Sequence, residues 1–311
     1  DFRVHPRSKL RGILTKNKME QMGHLEDILA RLPKATDPDE VRIVNLLQEE
    51  LLATSWSQEF FTQARQAQIE FLKFALSHLQ DQGAIHKRNQ ELLKQISELG
   101  KARIVSGEEH LAALEPGKPI MIASNHLGDY KLSPIQPQEL GLELPIDQIH
   151  PFPMYFAPYS PIARRLAVEL FDAHVELPKP LYSIQKACSL ITIVAVQSGG
   201  LARLENDTRV LFENNPRAAL VVFPEGGTSG KRNGGGPYNL EEFHAGAFVI
   251  AGNLGIPILP VGKYFSAESG YELGILPSVR PEPGKDRGYY KELATSTQDA
   301  LRNWLDKRKE V

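Results

Sequence analysis

The residues best suited to do chemistry stand in the stretch Pro119-Ile-Met-Ile-Ala-Ser-Asn-His126-Leu-Gly-Asp129. An apolar run, Ile120 to Ser124, precedes them and reads as a buried parallel strand. An imidazole and a carboxylate then arrive at the C-terminal end of that strand. In open α/β sheets this edge is where ligands bind. A histidine there can take a proton from an attacking hydroxyl. A carboxylate can fix its tautomer and stabilise the imidazolium.

A second stretch, Val221-Val-Phe-Pro-Glu-Gly-Gly-Thr-Ser-Gly-Lys-Arg232, follows another apolar run. Glu225, Gly226, Gly227, Thr228, Lys231 and Arg232 are the candidates here, with Gly230 and Gly234 to Gly236 around them. Glycines let backbone N–H groups approach an anion, and the cations add charge. Arg232 can grip a phosphate through two parallel hydrogen bonds, and Lys231 can act as a point charge. The spacing is not that of a Walker phosphate loop, because Glu225 stands where its first glycine must be. If both runs are parallel strands, both stretches lie on one rim of a sheet.

The elements that must position them divide the chain in two. Residues 1–100 read as amphipathic helices. Ser8 to Leu32 has helical apolar spacing, and Asp37-Pro38 starts a second helix. Ser55-Trp-Ser-Gln58 resembles a capping box opening a long helix that ends near Gly83. A fourth runs from Ala84 to Leu99, with Gly100 as its stop. This predicts an N-terminal helical-bundle domain. Its aromatic stripe is either core or one wall of an acyl groove or docking face.

Residues 101–311 change to an α/β rhythm: a mixed, largely parallel sheet flanked by helices. Ala102 to Val105 is a short strand, and Ser106-Gly-Glu-Glu109 is a capping box for a short helix to Leu114. Residues 131–181 are proline-rich, with strands expected at Met154 to Ala157 and Ala173 to Leu177 and a helix at Ile162 to Leu170. Tyr182 to Val196 fits a buried helix or a strand. Helices follow at Gly200 to Asn214, Phe243 to Leu254 and Tyr289 to Val311, and strands at Ala218 to Phe223 and Ile256 to Val261.

Composition narrows the partners. The chain has 311 residues, 41% hydrophobic and 24% charged, with a net charge of -2. That balance is ordinary for a globular protein and gives no argument for nucleic acid. Cys188 is the single cysteine, so no intrachain disulfide can form; its apolar neighbours make it a buried, inert thiol. No apolar run is long enough to span a bilayer, since Gly246 to Gly262 is broken by Asn253 and two prolines. His and acid residues do not cluster with ligand spacing, so no metal is implied. The chain opens on Asp1, so a targeting peptide ahead of it would be invisible.

Ser-Asn-His126, then Phe223-Pro-Glu-Gly-Gly-Thr-Ser, then Gly246-Ala-Phe and Gly255-Ile-Pro-Ile-Leu-Pro-Val261 resemble, in that order, the glycerolipid acyltransferase superfamily. Its members include glycerol-3-phosphate and lysophosphatidate acyltransferases. A helical segment ahead of these blocks is more similar to the soluble plant-plastid glycerol-3-phosphate enzymes. The resemblance implies transfer of a fatty acyl group from an acyl-carrier protein or acyl-CoA thioester to a hydroxyl of a phosphorylated small molecule, most simply glycerol 3-phosphate. It implies His126 as general base, no cofactor, and a cytoplasmic or plastid-stromal protein, soluble or peripherally membrane-bound.

The sequence departs from the family in two places. The family's acid falls at Lys131, which leaves Asp129 as the nearest carboxylate. The second block has an extra glycine and no arginine after the threonine, so Lys231 and Arg232 stand in as its cations. For the family's intervening phosphate-binding cation, Lys179 and Arg203 compete, with Lys179 favoured. The altered first block keeps two alternatives open: a lysophospholipid or specialised-metabolite acceptor, and a degenerate binder of lipid or carrier protein that does no catalysis.

Overall fold

The strand that leads to His126 lies in the middle of the sheet. The computed structural model of the protein describes residues 58–127, 135–143, 167–172, 179–188, 191–193, 200–227, 229–230, 232–233, 238–266 and 270–309. Among these, the strands are β1 (Arg103–Ser106), β2 (Ile120–Ser124), β3 (Ala167–Asp172), β4 (Ile191–Ile193), β5 (Ala219–Val222), β6 (Ile258–Ser266) and β7 (Gly270–Ile275). They form one seven-stranded sheet in the order β1-β7-β6-β2-β5-β3-β4. Every pairing is parallel except β6 with β7. The sheet is therefore mixed and largely parallel.

The apolar run of β2 follows from its place. All five residues are buried, with Ala123 set between Val222 of β5 and Pro260 of β6. Met121 and Ala123 face one hydrophobic cluster, and Ile120 and Ile122 face another. This is the period of two, with both faces covered. The first cluster is closed by α5 (Gly200–Asn214), α6 (Gly246–Leu254) and α7 (Arg287–Lys309), through Phe212, Phe248 and Leu301 among others.

The other described helices are α1 (Gln58–Ser77), α2 (Gln82–Leu99), α3 (Glu108–Ala112) and α4 (Lys179–Ala187). A third cluster joins Phe71 and Leu72 of α1, Ile85 and Ile96 of α2, and Leu181 and Ile184 of α4 to Leu127, Phe265 and Tyr271. The helical hairpin thus buries its apolar face against residues that follow β2 and line β6 and β7. Asp81 caps α2, its side chain accepting from the Ala84 N–H at 2.9 Å. Cys188 lies at the end of α4, buried, and burial pushes its thiol upward so that it stays protonated.

Several sequence expectations are corrected. The long helix ends at Ser77, not near Gly83, and α2 begins two residues before Ala84. Gly100 does stop α2, but not through left-handed backbone; its φ is -80°, and Lys101 takes the positive φ. Gly100 is needed because a Cβ there would lie 2.8 Å from the Tyr271 ring. Ser106 is no N-cap. It ends β1, and Gly107 caps α3 without a side-chain bond. Ala167 to Leu170, expected within a helix, belongs to β3, which pairs with β5 and β4. The Tyr182 to Val196 segment is both alternatives in turn: α4, then β4. The helices expected before residue 58, the strands at Met154 to Ala157 and Ala173 to Leu177, and positions 162–166 lie outside the described residues.

The sequence reading also missed β7, which carries a buried Glu272 among apolar neighbours. Arg103 of β1 bonds one oxygen at 2.7 Å and Arg308 of α7 bonds the other. Pairing from both sides makes a carboxylate tolerable there.

Gly262 and Gly274 face each other across the β6–β7 ladder, and the Trp304 indole lies on both. Its Nε1 donates to the Ser106 hydroxyl at 2.9 Å. A Cβ on Gly274 would stand 2.0 Å from Cε2 of the ring. Gly274→Ala must push the indole off the sheet. We expect a loss of about 1–3 kcal/mol of stability, read as a lower urea midpoint at unchanged slope.

Candidate active site

Where β2 ends, its last partner is a side chain. Asn125 is fully buried and bonds the backbone of Lys263 in both directions. Its Nδ2 donates to the Lys263 carbonyl at 2.9 Å, and its Oδ1 accepts from the Lys263 N–H at 2.7 Å. The amide prolongs the β2–β6 ladder and fixes the direction in which the chain leaves it. His126 follows, half-buried, with Nδ1 turned inward. Its ring packs on Phe223 with centroids 4.4 Å apart. The buried Lys263 places its ammonium 4.9 Å from the centre of the Phe223 ring.

The backbone of His126 is stitched to the turn after β5. Its N–H donates to Glu225 Oε1 at 3.0 Å, and its carbonyl accepts from the Ser229 N–H at 2.9 Å. Glu225 is the hub of the site. Its Oε1 also accepts from the Ser229 hydroxyl at 2.6 Å, and its Oε2 accepts from the Glu241 N–H at 2.7 Å. Burial raises the Glu225 carboxyl above its ordinary value, against the opposing pull of these hydrogen bonds. A carboxylate whose oxygens already face protein donors shapes a loop; it does not itself receive an anion.

A second acid holds the loop's far end. Glu241 Oε1 accepts from the Arg232 N–H at 2.6 Å and the Asn233 N–H at 3.0 Å. Gln298 of α7 braces this segment, donating to the Glu241 carbonyl and accepting from the Phe243 N–H. The Arg232 guanidinium donates to the Glu225 carbonyl and lies beside Gly226 and Gly227. Gly226 has a φ of +63°, which favours glycine.

The structure therefore brings together His126, Glu225, Gly226, Gly227 and Arg232. Asp129, Thr228 and Lys231 lie outside the described residues. Lys179 opens α4, and its side chain is likewise outside them. Arg203 lies on the exposed side of α5 and pairs with Asp207 one turn on, at 3.7 Å. Asn125, Ser229, Glu241, His244 and Lys263 complete the surroundings and were not singled out as site residues from sequence. Asn125 and Ser229 stand within the stretches Pro119 to Asp129 and Val221 to Arg232; the other three are joined to the site by contacts distant in the chain. Among the described residues, no three of His, Cys, Asp or Glu are placed to share a metal ion, and no helix is long and apolar enough to cross a membrane.

Fold and site together define an α/β protein with a histidine at one strand end, bonded through a buried carboxylate to a glycine-rich cationic turn at the next. Among solved structures the chain is similar to the 1-acyl-sn-glycerophosphate (LPA) acyltransferase of Thermotoga maritima, with 14% sequence identity, 85% of this chain and 98% of that chain covered, and a TM-score of 0.48. No family model matches the chain, and no curated protein matches it.

Proposed function

We propose that the protein is an acyltransferase. It moves a fatty acyl group from an acyl-CoA or acyl-carrier-protein thioester to a hydroxyl of a phosphorylated acceptor, most simply glycerol 3-phosphate. The single observation behind this is the Glu225 carboxylate, which bonds the His126 N–H and the glycine-rich turn at once. This supports a reading in which a proton acceptor and an anion-binding turn share one rim of the sheet.

With Nδ1 turned inward, Nε2 of His126 takes the proton of the acceptor hydroxyl. The freed oxygen attacks the thioester carbonyl and a C–O bond forms. The tetrahedral intermediate collapses, the C–S bond breaks, and the imidazolium returns its proton to the thiolate. The products are an ester and a free thiol. Asp129 orients the imidazole in this reading, while Arg232, Lys231, Thr228 and the backbone of Gly226 and Gly227 hold the acceptor phosphate. Lys179 is a further cation for that phosphate.

Mass analysis of products tests the reaction class. Palmitoyl-CoA or palmitoyl-carrier protein is mixed with glycerol 3-phosphate, glycerol or a lysophospholipid. An ester of glycerol 3-phosphate, and none of glycerol, is the expected result. Ester on the lysophospholipid alone would keep acyl transfer and replace the acceptor. An intact thioester under every condition would overturn the proposal.

A further inference from the structure

We infer that His244 is a second donor of the anion site, closing with Arg232 on one phosphate oxygen cluster above Gly226. The inference rests on the anion-binding part of the function proposed above and extends it to a residue outside the glycine-rich block.

The His244 N–H donates to the Pro224 carbonyl at 2.8 Å, which anchors the residue against the strand end that carries Glu225. Its imidazole fills the space that a side chain at position 226 would need. Cδ2 and Nε2 lie 3.0 and 3.3 Å from the point where a Gly226 Cβ would stand. An Arg232 Nη lies 4.0 Å from the same point. The imidazole and the guanidinium therefore converge on one exposed glycine, from positions eighteen and six residues away in the chain.

Among the described residues, no hydrogen bond or ion pair engages the His244 ring. One Arg232 nitrogen is held by the Glu225 carbonyl, and no other hydrogen bond engages the five-donor fork among the described residues. Of the nearby acids, Glu225 accepts from three donors, Glu241 accepts from the backbone of Arg232 and Asn233, and Glu242 pairs with Lys291 at 3.5 Å. Among the described residues, neither His244 nor Arg232 forms an ion pair with a carboxylate. Two side-chain donors that converge, neither ion-paired with a carboxylate among the described residues, suit a compact group with several acceptor oxygens. A phosphomonoester, which carries three terminal oxygens, fits better than a carboxylate or a diester.

Calorimetric titration of the full chain with inorganic phosphate and with glycerol 3-phosphate tests this, alongside acceptor kinetics. His244→Ala is expected to weaken binding of both ligands about tenfold or more, and the loss of rate is expected to be carried by KM. His244→Gln keeps a donor and should retain part of the affinity. Circular dichroism checks that each variant is folded, as expected for an exposed side chain. Unchanged phosphate affinity in folded His244→Ala, or no phosphate binding by the wild type, would overturn the inference. His244-dependent phosphate binding without acyl transfer would remove the acyltransferase reading alone. Acyl transfer with an unaltered KM in His244→Ala would remove the role of His244 alone.

Discussion

His126→Ala lowers acceptor-dependent thioester cleavage by about 10²–10⁴-fold and leaves the protein folded. The rate loss is what removal of a positioned general base costs. The fold survives because the two bonds that His126 makes to the neighbouring turn, to Glu225 and from Ser229, use its backbone. Alanine keeps both. The ring contact with Phe223 is lost, at a half-buried position. Initial rates at saturating acceptor, with a urea melt on the same preparation, give both quantities. A folded variant with a wild-type rate would take the base role away from His126.

Glu225→Ala, by contrast, is expected to damage stability and activity together. It removes the acceptor for the His126 N–H, the Ser229 hydroxyl and the Glu241 N–H. Leaving buried donors unpaired costs about 1–3 kcal/mol for each group that water cannot reach. We expect a total loss of about 2–4 kcal/mol, with turnover falling because the His126 loop and the glycine-rich turn no longer share an anchor. Glu225→Gln is not a gentle substitute, since its NH2 would face a donor where a carboxylate oxygen accepted.

The same residue leaves a signature in pH. Its carboxyl titrates above the ordinary value of 4.5 in the folded protein, so the folded chain holds that proton more tightly than the unfolded one. The resulting contribution to stability is complete below the unfolded value. It is lost as pH rises through the folded value. The stability advantage of the wild type over Glu225→Gln should therefore shrink from mildly acidic towards neutral pH. Urea midpoints of the two proteins across that range measure it. An advantage that grows with pH would mean that the hydrogen bonds outweigh burial at this carboxyl.

The parts of the fold legible in the sequence are those where burial alone dictates composition. β2 and β5 are apolar runs because both faces of each are covered, and both ended where the motifs began. That was enough to put His126 and the glycine-rich turn on one rim. What local pattern could not show was set by partners distant in the chain. β7 hides behind Glu272, whose charge is acceptable only because Arg103 and Arg308 reach it from two other elements. The Ala-Val-Glu-Leu-Phe-Asp run of β3 contains good helix formers, and its pairing with β5 overrides that propensity. Gly262 and Gly274 have no turn to make; the Trp304 ring is their reason.

The site divides in the same way. His126, Glu225 and Arg232 were visible as chemistry after strands. Asn125 was visible as a residue, but its work is a pair of bonds to Lys263 across the sheet. Lys263 falls beyond the strand expected at Ile256 to Val261, yet it lies within β6, buried with its ammonium over the Phe223 ring on which His126 packs. His244 stands near a helix start and shows its bearing on Gly226 only in three dimensions.

The most direct test of acyl transfer is thiol release from palmitoyl-CoA and palmitoyl-carrier protein, with and without glycerol 3-phosphate, in wild type and His126→Ala. Release that requires the acceptor and disappears in the folded variant is the predicted result. Release that ignores the acceptor, or that survives the loss of His126, would contradict transfer by this base to this class of substrate.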